Sequence, residues 1–370
     1  MRLVDLSGPA TARRNIAVEI IATPATELLL STLAVLNEAP DEFDIGAGRL
    51  EALAEVAGPE LIADLQNLIG DGPKLMMMLL PVLADVEDPT DVDGLLAELR
   101  SFDPSELWAI IMAHFADGWA DATEDTIRRA SQGDETSRTV LRDAACNDDS
   151  CPAFIRLLLD TNTTELHAGV VDVLGRWRDA VLPNLEHEGL AAMQRDAAAK
   201  RALAGEVDLA ELVLTATNGL EWTSDPRIRR VLLLPSYVFR PWVVVTEWGG
   251  TRVIAYPVAD EHLALPSSAP PPSLVKLFKS LGDEGRLRLL QRMRSGPISL
   301  TEAATELDVS KPTAHHHLAI LRQAGLVTIS EQGRTKNYAL RSDPPEQAQD
   351  GLSRYLAAAD QPTAENAGSA

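Results

Sequence analysis

The sequence predicts a mostly helical α+β protein: a large helical N-terminal domain that carries a small antiparallel sheet, followed by a smaller C-terminal domain. Three observations support this fold class. Apolar residues recur at helical spacing through most of residues 24–219. β-Branched and aromatic stretches then follow one another between residues 229 and 256. Beyond residue 273, two short helical patterns precede two alternating segments.

The N-terminal domain is predicted to begin with a strand over Asn15–Ala22, where apolar residues alternate, and to continue as a series of amphipathic helices. The clearest helices are Pro24–Leu36, Glu60–Leu68, Lys74–Val86 and Glu106–Phe115. The last follows Asp103-Pro104-Ser105, a typical helix start. Residues 164–204 form either one long helix or two helices interrupted near Pro183.

The period then changes to that of strands. Arg229–Leu234, Trp242–Thr246 and Thr251–Tyr256 are rich in β-branched and aromatic residues. The last two are separated by a turn that contains Gly249-Gly250, and consecutive glycines tolerate the positive φ angles of a tight hairpin. We therefore expect a small, mostly antiparallel sheet in the N-terminal domain.

A proline-rich stretch marks the domain boundary. Ser267–Ser273 contains three consecutive prolines, which favour an extended spacer. After Arg341 the chain is polar except for one apolar helical face over Gln347–Ala358, so we expect a terminal helix and a disordered tail. The predicted parts are a helical effector or dimerisation domain (1–265), a linker (266–272), a C-terminal domain (273–341) and the helix and tail (342–370).

The C-terminal domain is predicted to contain two helices separated by a short break at Asp308-Val309-Ser310. Apolar residues at helical spacing define them, and these are Leu300, Ala303, Ala304 and Leu307 in the first and Ala314, Leu318 and Leu321 in the second. Ser299 and Glu302 form a capping-box pattern, and Ser310 can cap the second helix. Pro312 is tolerated in a first helical turn, and Gly325 ends the second helix.

A basic hairpin follows the two helices. Thr328–Ser330 and Asn337–Leu340 alternate like strands around the turn Gln332–Lys336. Helix, tight turn, helix and basic hairpin form a winged helix-turn-helix, which places its second helix in the major groove of DNA. The sequence therefore predicts that double-stranded DNA is a partner.

The charge of this segment differs from that of the chain, which has a formal net charge of −22. Residues 271–341 contain 11 Lys+Arg and 6 Asp+Glu, a net of +5, which leaves 22 basic and 49 acidic residues elsewhere, a net of −27. Charges beyond roughly 8–10 Å are screened at physiological salt. Phosphate binding therefore depends on the local basic charge, and the acidic remainder should weaken non-specific binding.

Eight residues are predicted to contact DNA. With Leu318 and Leu321 facing inward, a rotation of 100° per residue turns the first residues of the second helix outward, and the hairpin can reach a phosphate or the minor groove. The predicted contacts are Ser310, Lys311, Pro312, Thr313, His315, His316, Arg334 and Lys336.

The C-terminal segment closely resembles the ArsR-type winged-helix transcriptional regulators. The matching residues are Leu281-Gly282-Asp283-Glu284-Gly285-Arg286-Leu287, Val309-Ser310-Lys311-Pro312-Thr313-Ala314, His317-Leu318-Ala319-Ile320-Leu321-Arg322-Gln323-Ala324-Gly325-Leu326-Val327, Gly333-Arg334 and Tyr338-Ala339-Leu340. The resemblance covers roughly the last quarter of the chain. It implies a homodimeric regulator, usually a repressor, whose DNA affinity responds to a signal. It also implies a structural role for His317.

The chain departs from the metal-sensing members that this family contains. Their Cys-x-Cys position corresponds to Leu300–Leu307, which has no cysteine, and no histidine follows His317 for a terminal-helix site. We therefore expect no metal and no cofactor. The signal should be a small-molecule effector that binds within residues 1–265, because only that part is large enough for a pocket.

Four other features allow two interpretations each. His315-His316-His317 could bind a metal, but consecutive helical residues point about 100° apart, so DNA contact and structure are preferred. Cys146 and Cys151 could form a redox pair or half of a zinc site, whereas two plain thiols are preferred. Met76-Met77-Met78 could line a ligand cavity, and Arg176-Trp177-Arg178 could hold an anion. Core packing and a solvated helix face are preferred for these two.

The sequence contains no catalytic motif that stands out, so we expect no enzyme. No run of about 18 apolar residues predicts a membrane span, the first residues lack the apolar core of a signal peptide, and two cysteines suit a reducing compartment. Together with the winged helix, these features predict a cytoplasmic transcriptional regulator, a dimeric repressor controlled by its N-terminal domain. The alternative is an N-terminal enzyme or protein-interaction module that the winged helix localises or adapts.

Overall fold

The computed structural model describes residues 4–5, 16–69, 74–84, 91–116, 119, 121–146, 153–264, 270–332, 335–341 and 344–358. Contacts divide the chain into two compact units. The N-terminal unit comprises residues 1–201 and 227–258, and the C-terminal unit comprises residues 202–226 and 259–370. Within the described ranges, no helix has the length and apolar character needed to cross a membrane.

The N-terminal unit is built mainly from helices. They are α1 (Pro24–Val35), α2 (Ala47–Ile69), α3 (Lys74–Leu79), α4 (Val92–Ser101), α5 (Pro104–Phe115), α6 (Glu124–Ser131), α7 (Glu135–Ala145), α8 (Ala153–Asp160), α9 (Thr163–Ala180) and α10 (Pro183–Leu203). Short 3₁₀ turns cover Pro40–Glu42 and Leu80–Ala84. The last residues of α10 already belong to the C-terminal unit.

Most predicted helices are present, with shifted ends. Asp103 caps α5 by accepting hydrogen bonds from the amides of Ser105 (2.8 Å) and Glu106 (3.3 Å). The helix predicted over Lys74–Val86 is α3 followed by a 3₁₀ turn that ends at Ala84. Residues 164–204 form two helices, because α10 begins at Pro183, where proline is well tolerated.

Five strands form the sheet of this unit, in the order β1–β2–β3–β5–β4. They are β1 (Val4–Asp5), β2 (Ala17–Ile20), β3 (Arg230–Ser236), β4 (Val244–Trp248) and β5 (Thr251–Pro257). The predicted antiparallel hairpin is β4–β5, whose turn glycines have φ of 56° and 80°. The sheet around it is mixed, because β3 pairs in parallel with both β2 and β5. The helices between β2 and β3 provide the long connection that a parallel pair requires.

The core of the N-terminal unit lies among the helices and against one face of the sheet. Trp108 donates from Nε1 to the carbonyl of Leu158 (2.7 Å), and Trp177 donates from Nε1 to Oγ of Ser31 (2.9 Å). Both indoles are almost fully buried. Met76 and Met78 are buried as well, which agrees with core packing as the role of the methionine-rich helix.

The C-terminal unit contains six helices and a three-stranded antiparallel sheet of order β6–β8–β7 within its described residues. The elements are α11 (Leu209–Ala216), α12 (Pro272–Leu281), α13 (Glu284–Met293), β6 (Ile298–Ser299), α14 (Leu300–Leu307), α15 (Lys311–Gln323), β7 (Val327–Gln332), β8 (Thr335–Leu340) and α16 (Pro344–Ala358). Leu318 and Leu321 of α15 are fully buried in its core with Leu289 and Tyr338.

This division differs from the predicted domain boundaries. Residues 202–226, which the sequence assigned to the N-terminal domain, group with the winged helix. The predicted linker (266–272) is also shorter at its end, since α12 begins at Pro272. Residues 266–269 of that linker and the predicted tail after residue 358 lie outside the described residues.

Candidate nucleic-acid interface

Side-chain caps begin both α14 and α15, and a left-handed residue turns the chain between them. Ser299 and Glu302 form the predicted capping box: the Glu302 carboxylate accepts from the Ser299 amide at 2.8 Å, and Ser299 Oγ accepts from the Glu302 amide at 3.3 Å. α14 ends at Asp308, which adopts a left-handed conformation (φ 56°, ψ 48°). A short aspartate tolerates this conformation better than most residues do, so the chain can turn sharply into α15.

The start of α15 is also capped as predicted. Ser310 Oγ accepts a hydrogen bond from the Thr313 amide at 3.3 Å and lies 2.8 Å from the Thr313 hydroxyl. Pro312 occupies the first turn, where a missing N–H leaves no hydrogen bond unmade. The positive end of the helix dipole therefore lies among Ser310, Lys311 and Thr313, an arrangement that favours a phosphate.

The residues predicted to contact DNA at the start of α15 lie on one exposed surface. We call this set the recognition surface, and its members are Ser310, Lys311, Pro312, Thr313, His315 and His316, all of them exposed. Ala314, Leu318 and Leu321 on the opposite face are fully buried. The buried side fixes the helix to its unit, so the exposed side is presented on a rigid support.

His317 faces a different environment from its two neighbours. Its Nδ1 lies 3.6 Å from Oδ1 of Asp283, the residue that caps α13, and its side chain is largely buried. The pKa of Asp283 is lowered, first by the hydrogen bond from the Arg286 amide; burial opposes this, and the charges of Arg286 and His317 add to it. The placement agrees with the structural role that the family resemblance implies for His317.

The three consecutive histidines therefore do not converge. The rings of His316 and His317 lie 6.4 Å apart at a steep angle, and His317 faces Asp283. In the part of the chain that the structure describes, no three potential metal ligands cluster together.

The hairpin of the wing is longer than predicted. β7 and β8 pair from Val327↔Leu340 to Gln332↔Thr335. Lys336 is exposed near its tip, opposite Glu331 in the register. The predicted contact Arg334 lies, with Gly333, outside the described residues.

Arginines of α13 brace α12 and α14, the helices that precede and follow it, a role that sequence reasoning missed. Arg286 donates to the carbonyls of Ser280 (2.7 Å) and Lys279 (2.9 Å) at the end of α12. Arg288 donates to the carbonyl of Glu306 (2.5 Å) near the end of α14. The helix dipole favours cationic donors at helix C-termini. In a basic segment, sequence alone does not distinguish arginines that bind helix ends from arginines that bind phosphates.

A second feature missed by the sequence is a short segment that joins the edge of the wing sheet. We call residues 218–221 the strap. Leu220 forms a parallel bridge with Ile329 of β7: the Ile329 amide donates to the Gly219 carbonyl (2.9 Å), and the Glu221 amide donates to the Ile329 carbonyl (3.0 Å). The strap therefore occupies the edge of β7 that β8 does not use.

Two side-chain bonds hold the strap at its ends. Arg341, just after β8, donates to Oδ1 of Asn218 at 2.6 Å, and the Thr328 hydroxyl donates to Oε1 of Glu221 at 2.8 Å. Gly219 has φ of 128°, and a Cβ added there would lie 2.9 Å from the carbonyl oxygen of Val327. Only glycine fits this approach without displacing backbone. The available sequence signal, Asn218-Gly219, indicates a helix end but no docking site.

In the N-terminal unit, the candidate anion site at Arg176-Trp177-Arg178 is occupied by protein groups. Arg176 pairs with Asp64 (2.6 Å) and Asp172 (2.9 Å). Arg178 pairs with Asp179 (2.8 Å) and Asp93. Trp177 is buried. These contacts agree with the preferred interpretation of a solvated helix face.

The cysteine interpretation was wrong. Cys146, at the end of α7, is disulfide-bonded rather than a free thiol. The sequence has one other cysteine, Cys151, which lies outside the described residues. Plain thiols were preferred over a redox pair or half of a zinc site because no further metal ligands lie at a suitable spacing, and that observation does not bear on whether Cys146 forms a disulfide.

Comparison with known proteins agrees with this geometry. Residues 281–329 match the family described as a helix-turn-helix domain. The chain is 36% identical over 72 residues to the arsenical resistance operon repressor of Escherichia coli (strain K12), a match covering 19% of this chain and 62% of that protein.

Two relatives from Bacillus subtilis (strain 168) are each similar over 18% of this chain. The transcriptional repressor SdpR is 30% identical over 66 residues, which cover 18% of this chain and 73% of that protein. The HTH-type transcriptional regulator YceK is 37% identical over 70 residues, which cover 18% of this chain and 70% of that protein. These matches leave the N-terminal unit without an assigned family. Through its C-terminal unit, the chain belongs to the ArsR-type helix-turn-helix regulators and is a DNA-binding regulator of transcription.

Proposed function

We propose that the protein is a dimeric, cytoplasmic repressor whose N-terminal unit adjusts the DNA affinity of the winged helix in response to a small molecule. The observation that carries the proposal is the recognition surface, a capped and exposed helix start held by a fully buried opposite face. No enzymatic role is assigned to the N-terminal unit.

The recognition surface supplies both kinds of contact that a sequence-specific DNA binder needs. Lys311 and the capped amides at the start of α15 suit a phosphate, which positions the protein. Thr313 and His316 are exposed on the same surface and can form hydrogen bonds with base edges in the major groove. Lys336 and Arg334 of the wing are assigned to the adjacent backbone or minor groove.

Dimerisation is supported by apolar side chains that remain exposed on two helices packed against each other. α16 approaches α12 so closely that a Cβ at Gly351 would lie 3.0 Å from Leu274. On the same pair of helices, Phe278, Leu352 and Leu356 are 44%, 38% and 57% exposed. A second copy would cover them, and two-fold symmetry would place two recognition helices about 34 Å apart on one face of DNA.

Control by a small molecule is supported by the composition of the family's usual metal positions. The helix before the recognition helix carries Leu, Thr, Glu and Ala, which offer no thiolate or imidazole. The N-terminal unit has the size to bind an effector, and an effector acts by preferring one of two states. Repression is supported by two similar proteins that are named repressors.

The test is selection of duplexes from a random pool by the full-length protein, followed by titration of the bound complex. We expect an enriched, two-fold symmetric site. We also expect zinc, copper and nickel to leave binding unchanged, whereas a pool of metabolites releases the DNA. An unenriched pool contradicts DNA recognition, and a release caused by metal alone contradicts the proposed effector class.

A further inference from the structure

We propose that the strap, residues 218–221, is the element through which the N-terminal unit controls DNA affinity, and that its docked state is the DNA-binding state. This inference rests on the proposed function. It assigns this coupling to a segment that the sequence analysis did not single out.

The strap touches both parts of the winged helix that face DNA in this fold. It pairs with β7 of the wing through Ile329. It also reaches the end of the recognition helix: a Cβ at Gly325, whose φ is 71°, would lie 2.9 Å from Oδ1 of Asn218. The same Asn218 oxygen accepts from Arg341 at the end of β8. One four-residue segment therefore bonds to β7 and to the residue after β8, and lies against the residue at which the chain leaves α15.

The position of the strap is set by the helix that precedes it. α11 ends at Ala216, and Asn218, two residues later, has φ of 53°, the left-handed conformation typical of a helix stop. The Gly219 amide donates back to the Leu214 carbonyl (3.0 Å), and the Leu220 amide donates to the Thr217 hydroxyl (2.9 Å). Any displacement of α11 therefore displaces the strap.

The chain connects this arrangement to the N-terminal unit on both sides. It passes between the units after residues 201, 226 and 258. The first passage lies within α10, a continuous helix, and Arg201 there donates twice to the Ile20 carbonyl of β2, at 3.0 and 2.8 Å. A rearrangement of β2 or α10 would reach the strap through α11, without depending on the proline-rich segment.

The sign of the effect follows from what the strap leaves uncovered. Every member of the recognition surface stays exposed while the strap is docked, so docking does not block DNA. Docking instead orders the wing edge and the end of α15. Release would leave that ordering to be completed on DNA binding, which lowers affinity.

The decisive experiment compares two glycine substitutions in the full-length protein. Gly219→Ala inserts a Cβ against the Val327 carbonyl, whereas Gly296→Ala introduces alanine at a matching φ of 132° with nothing within 4 Å. The double variant Asn218→Gly/Glu221→Ala removes both side-chain bonds without adding bulk. Hydrogen exchange at the Ile329 and Glu221 amides reports docking, and DNA affinity is measured on the duplex selected by the wild-type protein.

We expect faster exchange at both amides in Gly219→Ala and in the double variant, with DNA affinity about 5- to 100-fold lower, the range typical of coupled sites. Gly296→Ala should match the wild type in both measurements. Faster exchange with unchanged DNA affinity overturns the inference. Unchanged exchange in both strap variants overturns it too. Neither result affects the proposed function. Failure of the wild type to select any duplex contradicts the proposed function instead, while exchange still decides whether the strap is docked.

Discussion

Nδ1 of His317 lies 3.6 Å from Oδ1 of Asp283, and this pair links the middle of α15 to the start of α13. The recognition surface ends only one residue before His317, at His316. The His317 side chain is directed into the unit and thus anchors the turn of α15 on which His315 and His316 are exposed.

We predict that His317→Ala lowers the free energy of unfolding by about 1–2 kcal/mol, because it removes a largely buried imidazole and its contact with the Asp283 carboxylate. His315→Ala, at an exposed position of the same helix, should change it by less than about 0.5 kcal/mol. Urea denaturation of the two variants measures the difference. Equal effects would show that the contact contributes nothing to stability.

A second prediction concerns a buried carboxylate in the N-terminal unit. Glu27 is 3% exposed and accepts hydrogen bonds from the Ser236 hydroxyl (2.7 Å) and the amides of Val238 (2.9 Å) and Tyr237 (3.1 Å). Burial raises its pKa from 4.5 to about 7, against the opposing effect of these hydrogen bonds. The folded state therefore holds the proton more tightly than the unfolded state does.

Stability from Glu27 should be fully present below pH 4.5 and lost as the pH rises through about 7. The shift corresponds to a loss of about 3 kcal/mol. We predict that Glu27→Gln removes this part of the pH dependence, whereas Glu51→Gln, on the exposed side of α2, retains it. Denaturation curves between pH 4 and 8 test this, and an unchanged profile in Glu27→Gln would count against the assignment.

The dimer interface can be tested by placing a charge at an exposed apolar position inside the proposed interface and, as a control, at one outside it. Leu356→Glu on α16 should shift the protein towards a monomer, because it buries an unpaired carboxylate between the copies. Leu287→Glu replaces a side chain that is similarly exposed (48% against 57%) but belongs to α13 and not to the α12–α16 pair. Light scattering at micromolar concentration measures both. A dimer that survives Leu356→Glu but not Leu287→Glu would place the interface elsewhere.

Base recognition and phosphate binding should separate by residue. We predict that His316→Ala relaxes the preference for bases at its position in the site, with a loss of about 1–3 kcal/mol on the preferred sequence. Repeating the duplex selection with the variant tests this. An unchanged preference at every position of the site would exclude His316 from base recognition.

Local patterns predicted the DNA-binding motif well because its signals are local. The capping box at Ser299, the cap at Ser310 and the buried side of α15 each depend on residues within a few positions of one another. The parallel pairing of β3 with β2 joins residues more than 200 positions apart, and no periodicity records such a pairing. The strap was missed for the same reason, since Gly219 and Ile329 meet only in the folded chain.

The measurement that tests DNA binding through the recognition surface most directly is the salt dependence of affinity for the selected duplex. For the wild type, the logarithm of the affinity should fall linearly with the logarithm of salt concentration, and Lys311→Ala should reduce the slope by about 0.9 for each bound subunit. Arg100→Ala, an exposed arginine of the N-terminal unit, should leave the slope unchanged. Binding that is independent of salt, or identical slopes for the Lys311 and Arg100 variants, would contradict this account.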